Sequence, residues 1–248
     1  MLALISPAKT LDFSKIDGDF TKPQMLDNSF KLIENLKNKS ILEIQKLMKI
    51  SEKLSILNYD RYQNFSKDFT SENSKAAIFA FKGDVYTGLN IESFDNEDID
   101  FAKNSVRILS GLYGILKPLD LIQPYRLEMG TKLQVDNFKN LYQFWGDKIS
   151  QEINKIESDF IINLASNEYF KAIDKKTLKA KIINIIFKET KNGEFKIIGI
   201  HAKKARGRMI NFIVKNRINN PQDLQQFNLD GYNFKPELSD ETNLVWIR

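Results

Sequence analysis

The chain has 248 residues, 42% hydrophobic and 28% charged, with a net charge of +5. That length allows one large or two small domains with a real core, and the positive balance favours anionic partners. The lack of cysteine excludes disulfides, thiol chemistry and cysteine-ligated metal centres, and a single histidine excludes a multi-histidine site, so any metal would have to be held mainly by carboxylates and carbonyls; no metal and no cofactor are expected.

In chain order, Met1 to Ser6 reads as a short buried strand ended by Pro7. From Pro23 to about Phe65 the pattern is helical, with Leu32, Leu36, Ile41, Ile44, Leu47 and Met48 at three- and four-residue spacing. Pro23 is expected to open the first helix, and Ser40 with Glu43 to form a capping box on the next. AAIFAF (76–81) has the composition of a strand, ESFDNEDID (92–100) that of a solvated loop and helix start, and VRILS (106–110) that of a buried strand. Residues 140–158 read as one long amphipathic helix with Leu141, Phe144, Trp145 and Ile149 on one face, and FIINLA (160–165) as a strand. Two β-rich runs joined through Asn192-Gly193 predict a hairpin, and GYNFKPELSDETNLVWIR predicts another at the C-terminus. Without repeats or linkers, the interspersed elements imply a mixed α/β (α+β) fold in one domain, 1–248. It would have a central mixed sheet, surrounding helices and a helical hairpin in the N-terminal third, with 23–70 as a candidate subdomain. No run approaches the ~18 apolar residues of a membrane span. The N-terminus lacks the basic and apolar regions of a signal peptide, so a cytoplasmic address is expected.

Four segments carry candidate chemistry. HAKKARGRM (201–209) holds His201, Lys203, Lys204, Arg206 and Arg208 ahead of an apolar-periodic run. Lys203 and Lys204 would fall in the first turn of a helix, where cations are unfavourable unless an anion is bound; the alternative is a solvated helix face. ISPAKTLDF (5–13) delivers Ser6, Lys9 and Thr10 just past a strand, where open sheets bind ligands, though it lacks the glycines of a phosphate loop. SGLYGILKPLDLIQPYRLEMGTKL (110–133) contains a glycine-rich turn and then Tyr125, Arg126 and Glu128. Arg126 and Glu128 would share a face of an extended strand, as an ion pair or a cleft wall. In NLASNEYFKA (163–172), Asn163, Ser166 and Asn167 would cap a helix or present donors to an anion.

These four segments, starting from MLALISPAKTLDF, occur in order nearly end to end, and together they resemble the YaaA family of bacterial peroxide-stress proteins. The resemblance implies one mixed α/β domain in a cytoplasmic protein linked to survival of hydrogen peroxide and limitation of free iron. It also implies DNA binding through a basic cleft and a helix-hairpin-helix element. Residues 47–65 are the place for that element, with Lys46, Lys49, Lys53 and Arg61 supplying charge, although the usual glycine pair is missing. On this reading Lys203, Lys204, Arg206 and Arg208 neutralise DNA phosphates, largely independent of sequence, with Lys9 and Arg126 in the same cleft. The rival is an enzyme acting on a phosphorylated or nucleotide-like anion, because Ser6, Lys9, Thr10, Asn163, Ser166 and His201 are many polar groups for a passive clamp. Whether the chain is an enzyme stays open at this level. A thiol peroxidase and a histidine-rich iron store are both excluded by composition.

Overall fold

The computed structural model describes residues 1–16, 18–157 and 159–248. Strand β1 (Leu2–Ile5) is apolar and buried throughout, as a strand covered on both faces must be, and it ends before Pro7, which has no N–H for a ladder. A two-residue strand, β2 (Thr10–Leu11), follows outside the main sheet. Then come three helices, α1 (Leu26–Lys37), α2 (Ile41–Met48) and α3 (Glu52–Gln63). Pro23 does not open α1, which has Met25 at its N-cap and no side-chain cap. The capping box on α2 is present: Glu43 N–H donates to Ser40 Oγ, and Ser40 N–H donates to the Glu43 carboxylate. Lys49 adopts the left-handed conformation (φ 52°) and Ser51 caps α3, so the helical hairpin reverses without glycine. Leu32, Leu36, Ile44 and Tyr62 bury these helices in the common core.

The AAIFAF segment is not one strand but β3 (Lys75–Ala76), the helical turn α4 (Ala77–Ala80) and β4 (Phe81–Lys82). Ala77 and Ile78 N–H donate to the carbonyls of Asp120 and Pro118, and a short, wholly apolar run carries no periodicity to separate helix from strand. Next are α5 (Asp84–Leu89) and α6 (Asn96–Ser105), whose start is the acidic segment, boxed by Asp95 and Asp98. Strands β5 (Val106–Ser110), β6 (Gly114–Leu116) and β7 (Leu121–Ile122) follow. The glycine-rich turn between β5 and β6 is needed for close approach: a Cβ on Gly111 would lie 2.2 Å from the Leu127 carbonyl oxygen. The expected helix at 140–158 is two, α7 (Leu141–Trp145) and α8 (Lys148–Asn154), because Gly146 takes a left-handed φ of 51° and stops the first. Leu141, Phe144, Trp145 and Ile149 are nonetheless all buried.

The chain continues through β8 (Phe160–Asn163), α9 (Asn167–Phe170), β9 (Lys181–Lys191) and β10 (Glu194–Lys196). It ends with α10 (Gly199–Lys215), β11 (Asn233–Phe234) and β12 (Asn243–Ile247). Asn192 and Gly193 both have positive φ, 54° and 77°, as a two-residue hairpin turn between β9 and β10 requires. The C-terminal hairpin, β11 against β12, is likewise antiparallel.

Eight strands form one mixed sheet in the order β11-β12-β9-β8-β1-β5-β6, with β10 attached to β9 beside this path. β5, β1, β8, β9 and β12 are mutually parallel, and the β5–β6, β9–β10 and β11–β12 pairs are antiparallel. In chain order the parallel strands lie 2-1-3-4-5, so the chain leaves β1 toward one side and resumes at β8 on the other. Such a reversal opens a crevice beyond the carboxyl ends of β1 and β8, the usual ligand position in open α/β sheets. On the helical layer α5 and α10 nearly touch: a Cβ on Gly207 would lie 1.8 Å from the Val85 carbonyl oxygen, and one on Gly88 2.1 Å from that of Lys204. This glycine contact sets where the cationic stretch of α10 sits. Among the described residues no helix is long and apolar enough to cross a membrane.

Candidate anion-binding site

The crevice beyond β1 and β8 is a cleft of about 390 Å³, a volume typical of small-molecule sites. Its floor is made by the turn after β1 (Ser6 to Thr10) and the segment after β8 that includes Ser166, Glu168 and Tyr169. Glu128, the start of α5, and Lys203 and Arg206 of α10 form the walls. The two floor segments are tied together: Ser166 N–H donates to Ser6 Oγ at 2.9 Å, and Ser6 Oγ donates to Ser166 Oγ at 3.3 Å. Tyr86 OH from α5 donates to the Ser6 carbonyl at 3.2 Å. The expected capping role of the 163–167 polar residues gives way to this arrangement. Ser166 occupies the N-cap of α9 but makes no side-chain cap bond, and Asn163 instead donates to Asn184 Oδ1 at 2.9 Å and accepts from Ala165 N–H at 3.1 Å.

Charge in the cleft is unevenly compensated. Glu128 is held by two cations, with Oε2 2.7 Å from Lys9 Nζ and Oε1 2.9 Å from Arg126 Nη2. The Arg126–Glu128 pair therefore exists, although its segment lies outside any strand. Glu168 Oε1 accepts from Gly130 N–H at 2.9 Å, and Lys82 lies 3.6 Å from Asp12. Arg206 differs: burial alone depresses its guanidinium pKa, and among the described residues no hydrogen bond or ion pair answers it. A half-buried guanidinium without a protein partner leaves its fork of donors free for an anion. Glu128 and Glu168 also border a second hollow of about 410 Å³, lined by Lys46 to Lys49 of the helical hairpin and by Gly130 to Lys132. The two hollows meet at these carboxylates, with Lys203 and Arg206 beyond one side and Lys46, Lys49 and Lys132 beyond the other.

A family model described as peroxide stress protein YaaA matches residues 1–238. The chain belongs to the YaaA family of peroxide stress proteins. A UPF0246 protein of Acaryochloris marina (strain MBIC 11017) is 53% identical over 251 residues, spanning all of both chains.

In this YaaA-family chain the cationic stretch does not open its helix. α10 starts at Gly199, so Lys203 and Lys204 lie in its second turn and not its first, past the range of the helix-end field. Nor do the four cations share a face. Lys203 and Arg206 reach the cleft, Arg208 Nε lies 3.4 Å from Asp230, and Lys204 is exposed outside both hollows. His201 is outside the cleft too, with Nδ1 2.6 Å from Glu189 Oε1. Ser6, Lys9, Thr10, Glu128 and Ser166 line the cleft together. Tyr125 is core: its OH meets Ser110 Oγ at 2.7 Å, and burial pushes its pKa above the ordinary tyrosine range. Lys46 and Lys49 line the second hollow, Arg61 borders a separate one beside Gln123, and Lys53 stands exposed on α3. Sequence reasoning passed over Glu168, Tyr86 and Asp84. A glutamate or aspartate near a helix start carries no local mark separating a site residue from one that favours the helix dipole.

Proposed function

We propose that this family member binds DNA in the peroxide-stress response, with the cleft beyond β1 and β8 holding backbone phosphate and the second hollow continuing the contact. Arg206 carries this reading, as a half-buried guanidinium with no hydrogen bond or ion pair among the described residues, one helical turn from Lys203 on the wall of the cleft. Guanidinium and ammonium groups on phosphate release counterions and need no base contact, so binding is largely independent of sequence. Lys46 and Lys49 at the turn of the helical hairpin, with Lys132, extend the positive surface beyond the cleft. Occupying DNA in this way would shield it from iron-dependent damage.

The test is a fluorescence-anisotropy titration of labelled duplex and branched DNA at several salt concentrations, with wild type and a Lys203→Ala/Arg206→Ala variant. Losing two phosphate contacts should weaken binding and reduce the log–log salt slope by roughly 1.8. Binding indifferent to salt, or unchanged in the variant, would remove the phosphate clamp.

Glu128 and Glu168 support a second reading, in which the cleft acts on a phosphorylated or nucleotide-like small anion. Two carboxylates where the hollows meet repel a continuous polyanion but suit proton transfer beside a bound phosphate. Calorimetric binding of nucleoside monophosphates, lost with Arg206→Ala and unaccompanied by duplex binding, would favour this reading.

A further inference from the structure

The β9–β10 hairpin ends in a strand with a free edge. β10 pairs with β9 on one side, and among the described residues no strand pairs with the other. Thr190 stands opposite Phe195, but its N–H turns away from β10 and donates to the Arg248 carbonyl at 2.8 Å. Thr190 and Phe195 are therefore a non-hydrogen-bonded pair, so Phe195 directs both its N–H and its C=O outward. Phe195 is 49% exposed, and Ile197 and Ile200 are each 59% exposed. Three large exposed apolar side chains thus fall between residues 195 and 200. Glu194 and Lys196 lie on the opposite strand face from Phe195 and at present meet each other at 2.6 Å.

We propose that β10 is the pairing edge for a second copy of this chain, with the two strands antiparallel about a two-fold axis through Phe195. In that register the outward N–H and C=O of Phe195 bond those of the partner's Phe195. Glu194 then faces the partner's Lys196, and Lys196 faces the partner's Glu194. The tripeptide Glu-Phe-Lys is its own electrostatic complement under a two-fold axis, whereas parallel pairing would set like charge beside like. The contact is isologous, as closed dimers require, and it joins the two sheets by strand addition. Phe195 packs beside its symmetry mate. The bland alternative is that Glu194 and Lys196 merely guard an edge against association.

Sedimentation velocity on the full-length chain across a concentration series distinguishes the two. Wild type should move from 28.8 kDa toward twice that mass by about 200 µM, where a short strand contact of micromolar affinity is largely formed. Glu194→Lys places lysine against lysine and Lys196→Glu places glutamate against glutamate, so each variant alone should stay monomeric. An equimolar mixture of the two should dimerise again, since Lys-Phe-Lys complements Glu-Phe-Glu. That recovery cannot come from repair of either hairpin, because each chain keeps its own substitution. Phe195→Pro, which removes the outward N–H without breaking a bond to β9, should also abolish the dimer. Wild type that stays monomeric, single variants that dimerise like wild type, or a mixture that stays monomeric would each overturn the proposal.

Discussion

Replacing Gly207 by alanine tests the contact that positions the cleft's cations. The new Cβ would sit 1.8 Å from the Val85 carbonyl oxygen and 2.6 Å from Leu89 N, whereas ordinary contact begins near 3.4 Å. The helices must therefore separate locally by about 1.6 Å, and both obstructing atoms are backbone, so no side chain can swing aside. Overpacking of this kind costs about 1–3 kcal/mol, with a rigid backbone obstacle at the upper end. Alanine returns about 1 kcal/mol of helix propensity, leaving a net loss of about 2 kcal/mol. For a chain of this size that corresponds to a fall of roughly 4–8 °C in Tm, measured by calorimetry or by the far-ultraviolet dichroism melt. DNA affinity should fall with it, because Arg206 is the adjacent residue and its guanidinium moves out of the recess. A variant melting at or above wild type would refute the reasoning, since propensity would then outweigh a close approach that alanine in fact tolerates.

Two further substitutions probe charge. Glu128→Gln removes a carboxylate from the cleft and frees Lys9, so DNA should bind more tightly, with the salt slope steeper by about 0.9; equal or weaker binding would mean that Glu128 serves something other than balancing Lys9. Burial by itself raises the Asp98 carboxyl, but hydrogen bonds from Lys215 and Arg217 more than offset that and hold its pKa down to about 2. A carboxyl whose folded pKa is depressed stabilises the fold above its unfolded pKa, near 3.8, and loses that contribution as pH falls toward the folded value. Asp98→Asn should therefore flatten the decline of the urea midpoint between about pH 4 and pH 2. An unchanged decline would show that the link from α6 to the end of α10 contributes nothing to acid stability.

Much of the fold is written locally. Ser40 and Glu43 specify a helix start because two side chains and two N–H groups three residues apart close on each other whatever lies beyond. Asn192-Gly193 specifies a hairpin because those residues accept positive φ most readily. The break at Gly146 and the helical turn inside AAIFAF were less legible. The first depends on a glycine that an apolar helical pattern does not register, and the second on carbonyls offered by Asp120 and Pro118, some forty residues away.

The site divides along the same line. From residue types alone follow the exclusion of thiol and histidine-cluster chemistry, the polar turn after β1, the family resemblance and the concentration of cations at 201–209. Tertiary structure alone decides that only Lys203 and Arg206 of those cations reach the cleft, and that Tyr125 belongs to the core. It also puts the turn after β1 beside the segment after β8, because the parallel strand order reverses between them. A sequence states which side chains can be charged. Whether a charge is answered or left stranded depends on desolvation and partners summed over segments far apart in the chain, and for Arg206 that sum exists only once α5, α10, β1 and β8 have been brought together.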